Sequence, residues 1–186
     1  MVLEETFTTI DFTQNLLSAS EYETCNFNNC MFSQVSLAGL TFIDCTFQNC
    51  DLSNVNLNNT AFQNVSFVNC KLLGLRFDTC KLFLLEFNFD TCTLNYSSFF
   101  GLKIPKTKFQ NSSLLEVDFT ESDLRNADFS NCNLAGALFA NTILEGVDFR
   151  SSQNFTVDPL LNYIRKAKFS RDSIEGLLFS FKIIIE

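Results

Sequence analysis

The chain has 186 residues, enough for one domain with a core or one uninterrupted repeat array. It contains 23 Phe, eight Cys and no His or Trp, with a formal net charge of −8 and a pI near 4.5. That acidity disfavours nonspecific binding to nucleic acid or anionic membrane, and the lack of His removes the ordinary Ser–His and Cys–His nucleophiles.

The opening MVLEETFTTI has neither the basic nor the apolar region of a signal peptide. No stretch approaches membrane-spanning length. The expectation is a bacterial-type cytoplasmic protein with reduced thiols. Residues 1–70 carry seven acids (Glu4, Glu5, Asp11, Glu21, Glu23, Asp44, Asp51) and no Lys or Arg.

From Phe7 the sequence repeats every five residues: Phe7, Phe12, Leu17, Tyr22, Phe27, Phe32, Leu37, Phe42, Phe47, Leu52, Leu57, Phe62, Phe67, Leu72, Phe77, Leu82 and Phe87. After a two-residue shift near 88–93 it resumes as Leu94, Phe99, Ile104, Phe109, Leu114, Phe119, Leu124, Phe129, Leu134, Phe139, Leu144 and Phe149. Neither a helix nor a flat strand keeps a five-step series on one face. The central residue matches across four repeats in 19 of 25 pairs and across adjacent repeats in only 5 of 28, so four repeats make one turn. One column is all Phe: Phe7, Phe27, Phe47, Phe67, Phe87, Phe109, Phe129 and Phe149, extended by Phe169. Another runs Leu52, Leu72, Leu94, Leu114, Leu134. Ladders of this kind fill the axis of a solenoid, each coil burying its apolar face on the next.

Units such as Cys50-Asp51-Leu52-Ser53-Asn54, Ala127-Asp128-Phe129-Ser130-Asn131 and Cys132-Asn133-Leu134-Ala135-Gly136 share one pattern: a small residue, Asp or Asn, a central Leu or Phe, then two polar residues. Over residues 5–150 the sequence resembles the pentapeptide-repeat family. The resemblance implies an all-β fold, a right-handed quadrilateral parallel β-helix, occupying residues 1–150 of this chain. At ~4.8 Å per coil, roughly eight coils make a rod about 40 Å long.

All eight cysteines (Cys25, Cys30, Cys45, Cys50, Cys70, Cys80, Cys92, Cys132) stand two residues before a central residue. In the family motif that slot points inward. A metal or redox ladder is one reading and small polarisable core filler the other; with no His and no CxxC pair, filler is the expectation. Asp118, Asp123, Asp128 and Asp148 form a run of carboxylates, but each occupies the slot just before a central residue, where the repeat expects Asp or Asn. Phosphate-binding Gly loops and zinc spacings are absent. The middle of the chain is basic, with Lys71, Arg76 and Lys81 on three consecutive faces, then Lys103, Lys106 and Lys108. A second acidic stretch follows (Glu116, Asp118, Glu121, Asp123, Asp128).

Residues 151–186 form an irregular last coil around Pro159 and a C-terminal helix and strand cap. Ala167-Lys168-Phe169 restores one unit. Ser170 is positioned to N-cap a short helix over 171–181, whose Ile174, Leu177, Leu178 and Phe181 make one apolar stripe. Ile183, Ile184 and Ile185 read as a strand. Such a segment covers the open end of the rod. In relatives it also joins two rods, so a homodimer through residues 160–186 is the second reading.

No catalytic residue, cofactor or metal is expected, because an enzyme needs a concave pocket with converging polar groups. The resemblance includes the quinolone-resistance pentapeptide proteins, acidic rods that mimic DNA. It therefore implies a protein partner such as DNA gyrase or topoisomerase IV, with Glu21, Glu23, Asp44 and Asp51 as candidate partner-binding residues. A duplex about 40 Å long carries about 24 phosphates, well above the net charge here. The alternative is a structural or scaffold repeat protein with another partner.

Overall fold

Each five-residue unit folds as a short extended step followed by a turn. The central side chain and the one two places before it point inward, while its flanking neighbours face out, as in Glu21-Tyr22-Glu23 where Tyr22 alone is buried. Two places after the centre the backbone takes positive φ, for example at Asn29, Asn49, Asn54, Asn59, Asn64 and Asn69. Asn tolerates this left-handed region better than most residues, which is why it recurs there. Gly74 takes the same position where space also matters: a Cβ would lie 2.7 Å from Asn54 Oδ1.

The computed structural model describes residues 1–184. The chain winds as a four-sided parallel β-solenoid. The first side carries β2 (Thr6–Thr8), β4 (Asn26–Asn28), β6 (Thr46–Gln48), β8 (Val65–Val68), β9 (Phe87–Asp90) and β10 (Phe109–Gln110) as one six-stranded sheet. The second is held by single bridges through Asp11, Met31, Asp51, Lys71 and Thr93, and the third by bridges through Arg76, Ser98, Asp118 and Leu138. The fourth carries β1 (Val2–Leu3), β3 (Glu21–Glu23), β5 (Thr41–Ile43) and β7 (Ala61–Gln63). It continues beyond them as the bridges Lys103↔Asp123, Asp123↔Ile143 and Ile143↔Tyr163. Every strand pair is parallel, with Phe7 opposite Phe27, Phe27 opposite Phe47 and Phe47 opposite Phe67.

The axis is an aromatic stack. Phe7, Phe27, Phe47, Phe67, Phe89, Phe109, Phe129, Phe149 and Phe169 follow one another at centroid distances of 4.6–5.6 Å with planes within 16°. A second stack on the third side, Phe77, Phe99, Phe119 and Phe139, meets the first edge to face. Offset stacking along the rod and edge contacts across it are both favoured by the ring quadrupole.

The two-residue shift lies earlier than the sequence suggests. Lys81 N–H still bonds the Thr60 carbonyl, as in an ordinary coil, yet Val65 already pairs with Phe87 and Phe67 with Phe89. The extra residues therefore fall within Leu82–Leu85, not at 88–93. Phe89 replaces Phe87 in the aromatic column. Phe87 drops instead into the inward slot that Cys45 and Val65 hold in the preceding coils, and its ring packs on Phe77 and Phe99. Burying Phe87 and Phe89 together sends the preceding residues outward: Leu82, which the repeat places in the core, is 70% exposed.

The C-terminal segment also departs from expectation. Residues Arg171–Leu177 and Phe179–Phe181 form two 3₁₀ turns rather than one α-helix. Ser170 makes no side-chain cap; its hydroxyl lies 2.7 Å from Ser173 Oγ. At three residues per turn the anticipated stripe is split. Leu177 packs against the core and Leu178 is half-buried, while Ile174 and Phe181 remain exposed. The segment is tied down at Gly176, whose carbonyl accepts the Val157 N–H at 2.9 Å and where a Cβ would collide with Phe155. Ile183 and Ile184 belong to no strand, and Ile185 lies outside the described residues.

Phe109 is fully buried between Phe89 and Phe129. Phe109→Ala is expected to cost about 3–5 kcal/mol, and Phe83→Ala, at an exposed position, less than about 0.5 kcal/mol. Urea denaturation of both variants checks this contrast.

Candidate functional site

The inward slot two residues before a centre holds Val, Ala or Leu in part of the coils, as at Val35, Val65 and Ala127, and a hydrogen-bond donor in others. Thr60 Oγ1 donates to the Leu37 carbonyl at 2.8 Å, Thr142 Oγ1 to Phe119 at 2.9 Å and Ser152 Oγ to Phe129 at 2.9 Å. The cysteines do the same more weakly: Cys50 Sγ donates to the Phe27 carbonyl at 3.2 Å, Cys70 to Phe47 at 3.3 Å and Cys92 to Phe67 at 3.4 Å. Where the slot carries Cys, Ser or Thr, its donor can reach a carbonyl of the preceding coil. All eight cysteines are buried and unpaired in disulfides. No cluster of three or more ligands fit for a metal ion occurs among the described residues.

Burial raises some of the thiols, while hydrogen bonds to Cys70 lower Cys50 and Cys92. Burial pushes Cys45 up to about 11, and Cys80 and Cys132 up to about 12. Hydrogen bonds with the Cys50 and Cys92 thiols, reinforced by burial, drive Cys70 far above its ordinary value. A thiol kept neutral in the core is a poor nucleophile, because the thiolate is the reactive form.

The carboxylates before the central residues have structural work. Asp118 accepts the Thr120 N–H at 2.9 Å, Asp123 that of Arg125 at 3.2 Å, Asp128 that of Ser130 at 2.9 Å and Asp148 that of Arg150 at 3.1 Å. Each is an Asx turn closing its own corner, so the four do not converge on one point. Arg150 also grips Asp148 through its guanidinium at 2.7 Å and holds that carboxyl down at about 2. Burial opposes ionisation of Asp123, but the Arg125 side chain and backbone outweigh it, and its pKa is lowered.

The candidate partner-binding acids do not form one patch. Glu21 and Glu23 flank Tyr22 on the fourth side, and Asp44 turns the corner one coil further on. Asp51 is on the second side, opposite them, where it accepts the Ser53 N–H at 3.0 Å and faces Lys71 Nζ at 3.9 Å. The basic middle is likewise divided: Lys71 meets Asp51, and Arg76 is paired with Asp78 at 2.6 Å.

The most conspicuous surface feature is absent from the sequence-based set. Leu82, Phe83 and Leu84 are 70%, 75% and 62% exposed and form an apolar knob where the extra residues leave the fourth side. Between the knob and the neighbouring corners lies a hollow of about 340 Å³, bordered by Asp44, Asn64, Leu84, Leu85 and Glu86. The signal was present in the sequence: Phe83 and Leu84 fill the two slots after a centre that the motif reserves for polar residues. The unbroken five-step series through Leu82 and Phe87 masked it.

These features define a four-sided parallel solenoid of five-residue units, with hydrogen bonds inside. The chain belongs to the pentapeptide-repeat family: a model of the pentapeptide repeat region matches residues 40–115 and 83–149. Among solved structures it is similar to HetL, a pentapeptide repeat protein involved in heterocyst differentiation regulation from the cyanobacterium Nostoc sp. strain PCC 7120. That likeness has 14% identity over 90% of this chain and 84% of that chain, with a TM-score of 0.65. QnrB1, a plasmid-mediated fluoroquinolone resistance protein, aligns in a trypsin-treated form at 18% identity over 100% of both chains, with a TM-score of 0.49. At these identities the HetL likeness extends to the fold alone. No curated protein matches the chain.

Two pH effects follow from the shifted groups. Asp148 is depressed in the folded state, so its stabilising contribution is present above the ordinary carboxylate range near ~3.9 and is lost as pH falls towards about 2. Asp148→Asn is expected to flatten the acid limb of the urea midpoint in that window. The buried thiols are raised, so their contribution is complete below an unfolded thiol pKa of ~8.5 and fades as pH rises towards 11–12. Replacing Cys45, Cys80 and Cys132 together with Ala is expected to reduce the fall in urea midpoint between pH 8 and 11.

Proposed function

We propose that the protein acts by protein–protein recognition, using a rod that holds its surface side chains in fixed positions, and that the fourth side is the recognition surface. One observation carries this reading: Asp44 borders the hollow beside the exposed Leu82–Leu84 knob, and Glu21 and Glu23 continue the acidic run further along the same side. An apolar anchor within a polar rim is the usual anatomy of a protein-binding patch. The buried and turn-closing polar groups are committed to the coil itself and leave nothing for catalysis on this reading. No helix among the described residues is long and apolar enough to cross a membrane.

A narrower version is DNA mimicry directed at DNA gyrase or topoisomerase IV. Its support is the family resemblance and the first 70 residues, which carry seven acids and no base. Against it stand the division of the acids between opposite sides and the pairing of Asp51 with Lys71. The scaffold version, with a different protein as partner, fits the mixed charge of the whole rod better.

The two are separated by experiment. Immobilised protein is expected to retain a partner that is lost on Glu21→Lys, Glu23→Lys and Asp44→Lys together, and kept on Lys71→Glu at the opposite side. Unchanged gyrase supercoiling and unchanged quinolone poisoning in the presence of purified protein would remove the DNA-mimic version. Equal capture by both reversal sets would remove the fourth side as the recognition surface.

A further inference from the structure

Six of the eight thiols have another thiol beside them in the next coil. Cys30, Cys50, Cys70 and Cys92 follow one another up a single column, and Cys25 and Cys45 form a shorter one. Cys80 follows Thr60 in a column with no other cysteine, and Cys132 lies between Ser112 and Ser152. The neighbouring thiols are twenty or more residues apart in the chain, so a search for CxxC pairs passes over them.

The sulfurs repeat with the coil. Sγ of Cys30, Cys50, Cys70 and Cys92 stands 3.2–3.6 Å from the carbonyls of Phe7, Phe27, Phe47 and Phe67, the same backbone position one coil earlier each time. Equivalent atoms of adjacent coils are spaced at ~4.8 Å. A metal–thiolate bond is about 2.3 Å long, so two thiolates bound in line to one cation stand about 4.6 Å apart. The match is to a linear pair. No group of three or more ligands converges among the described residues, which leaves out the tetrahedral shell of zinc. A disulfide asks two sulfurs to close to about 2.05 Å, and backbone bonds such as Asp51 N–H to Cys30 and Lys71 N–H to Cys50 hold the coils against that closure.

We propose that these columns bind soft, two-coordinate cations of the Cu(I) class, each held in line between cysteines of adjacent coils: Cys25 with Cys45, Cys30 with Cys50 and Cys70 with Cys92. The proposal is independent of the reading of the fourth side. Thiolates select such ions over harder ones. Binding exchanges two S–H bonds for two metal–sulfur bonds, and both protons leave to solvent. With a monovalent cation each bridge keeps one negative charge. Cys30 N–H donates to Cys50 Sγ and Cys50 N–H to Cys70 Sγ, both at 3.4 Å, so two of the three bridges have an amide already aimed at a sulfur. Cys70 also lies within hydrogen-bond reach of both Cys50 and Cys92 and lowers their pKa values. A hollow of about 430 Å³ bordered by Cys30, Cys50 and Cys70 runs along this corner and gives an ion an approach to the column.

Native mass spectrometry of the full, reduced chain tests this. The protein is loaded anaerobically with Cu(I), either by incubation or by refolding from urea in its presence, and then desalted against glutathione as a competing thiol. Three ions per chain are expected, one for each pair of stacked cysteines. X-ray absorption is expected to show two sulfurs about 2.3 Å from each copper. Cys50→Ser with Cys70→Ser leaves only Cys25 and Cys45 adjacent, and the count is expected to fall to one. Ser112 and Ser152 already occupy this column buried, so the variant is expected to keep the circular dichroism spectrum of the parent. Cys80→Ala with Cys132→Ala is expected to retain all three ions. A chain that keeps no copper by either route overturns the inference. So does a count that ignores the double serine variant or falls with the Cys80 and Cys132 variant, and so does copper surrounded by three sulfurs, which the stacked pairs cannot supply.

Discussion

The structure depends on one constraint: successive coils hydrogen-bond to one another through their backbones at the spacing of neighbouring strands. Coils of different path length fit this poorly, so outside the Leu82–Leu85 break the sides repeat their length and the inward positions stack in columns. The Phe column from Phe7 to Phe169 is the side-chain consequence. So is the column of Cys, Ser and Thr donors, because a corner carbonyl recurs at the same place in every coil. Thr60, Thr142, Ser152 and Cys50 each answer a backbone carbonyl of the preceding coil. That is why Cys50 and Thr60 occupy equivalent slots although their chemistry differs.

A solenoid under this constraint has little freedom to build a concave site, and its distinctive features arise where the repeat is broken. Here the break is Leu82–Leu85. Two extra residues cannot be absorbed inside a coil whose neighbours are already in register, so they are extruded. The apolar residues among them are then held in water by a scaffold that does not yield. Exposed apolar side chains on a rigid backbone retain their shape before a partner arrives, so little ordering entropy is lost on contact. The same rigidity makes the charge pattern of a face permanent: Glu21 and Glu23 cannot swing to the basic middle of the chain.

Much of the interior was legible in the sequence. Five-residue spacing, the fourfold match of Phe and Leu and the placement of the cysteines all reflect a side-chain requirement that recurs at fixed intervals. What was not legible is also physical. In the run from Leu82 to Phe89 several residues qualify as centres, so spacing alone does not say where the shift enters. Burial of Phe87 and Phe89 in the same coil decided it, at the expense of Leu82. In the tail, the apolar spacing of Ile174, Leu177, Leu178 and Phe181 suits an α-helix. The close approach of Gly176 to Phe155 and the Val157 hydrogen bond to its carbonyl accompany a 3₁₀ path that splits the stripe.

The sequence by itself determined the repeat length, the number of sides and the inward columns, because each is dictated locally and then copied. Only the tertiary structure decided which acids share a side, which bases neutralise them and which apolar residues reach water. Some of these pairings lie two residues apart, as at Arg76–Asp78, and others join residues twenty positions apart across coils. Asp51 and Lys71 illustrate the point: separate charges along the chain, they lie 3.9 Å apart on adjacent coils, and the acidic stretch that contained Asp51 is divided by that contact.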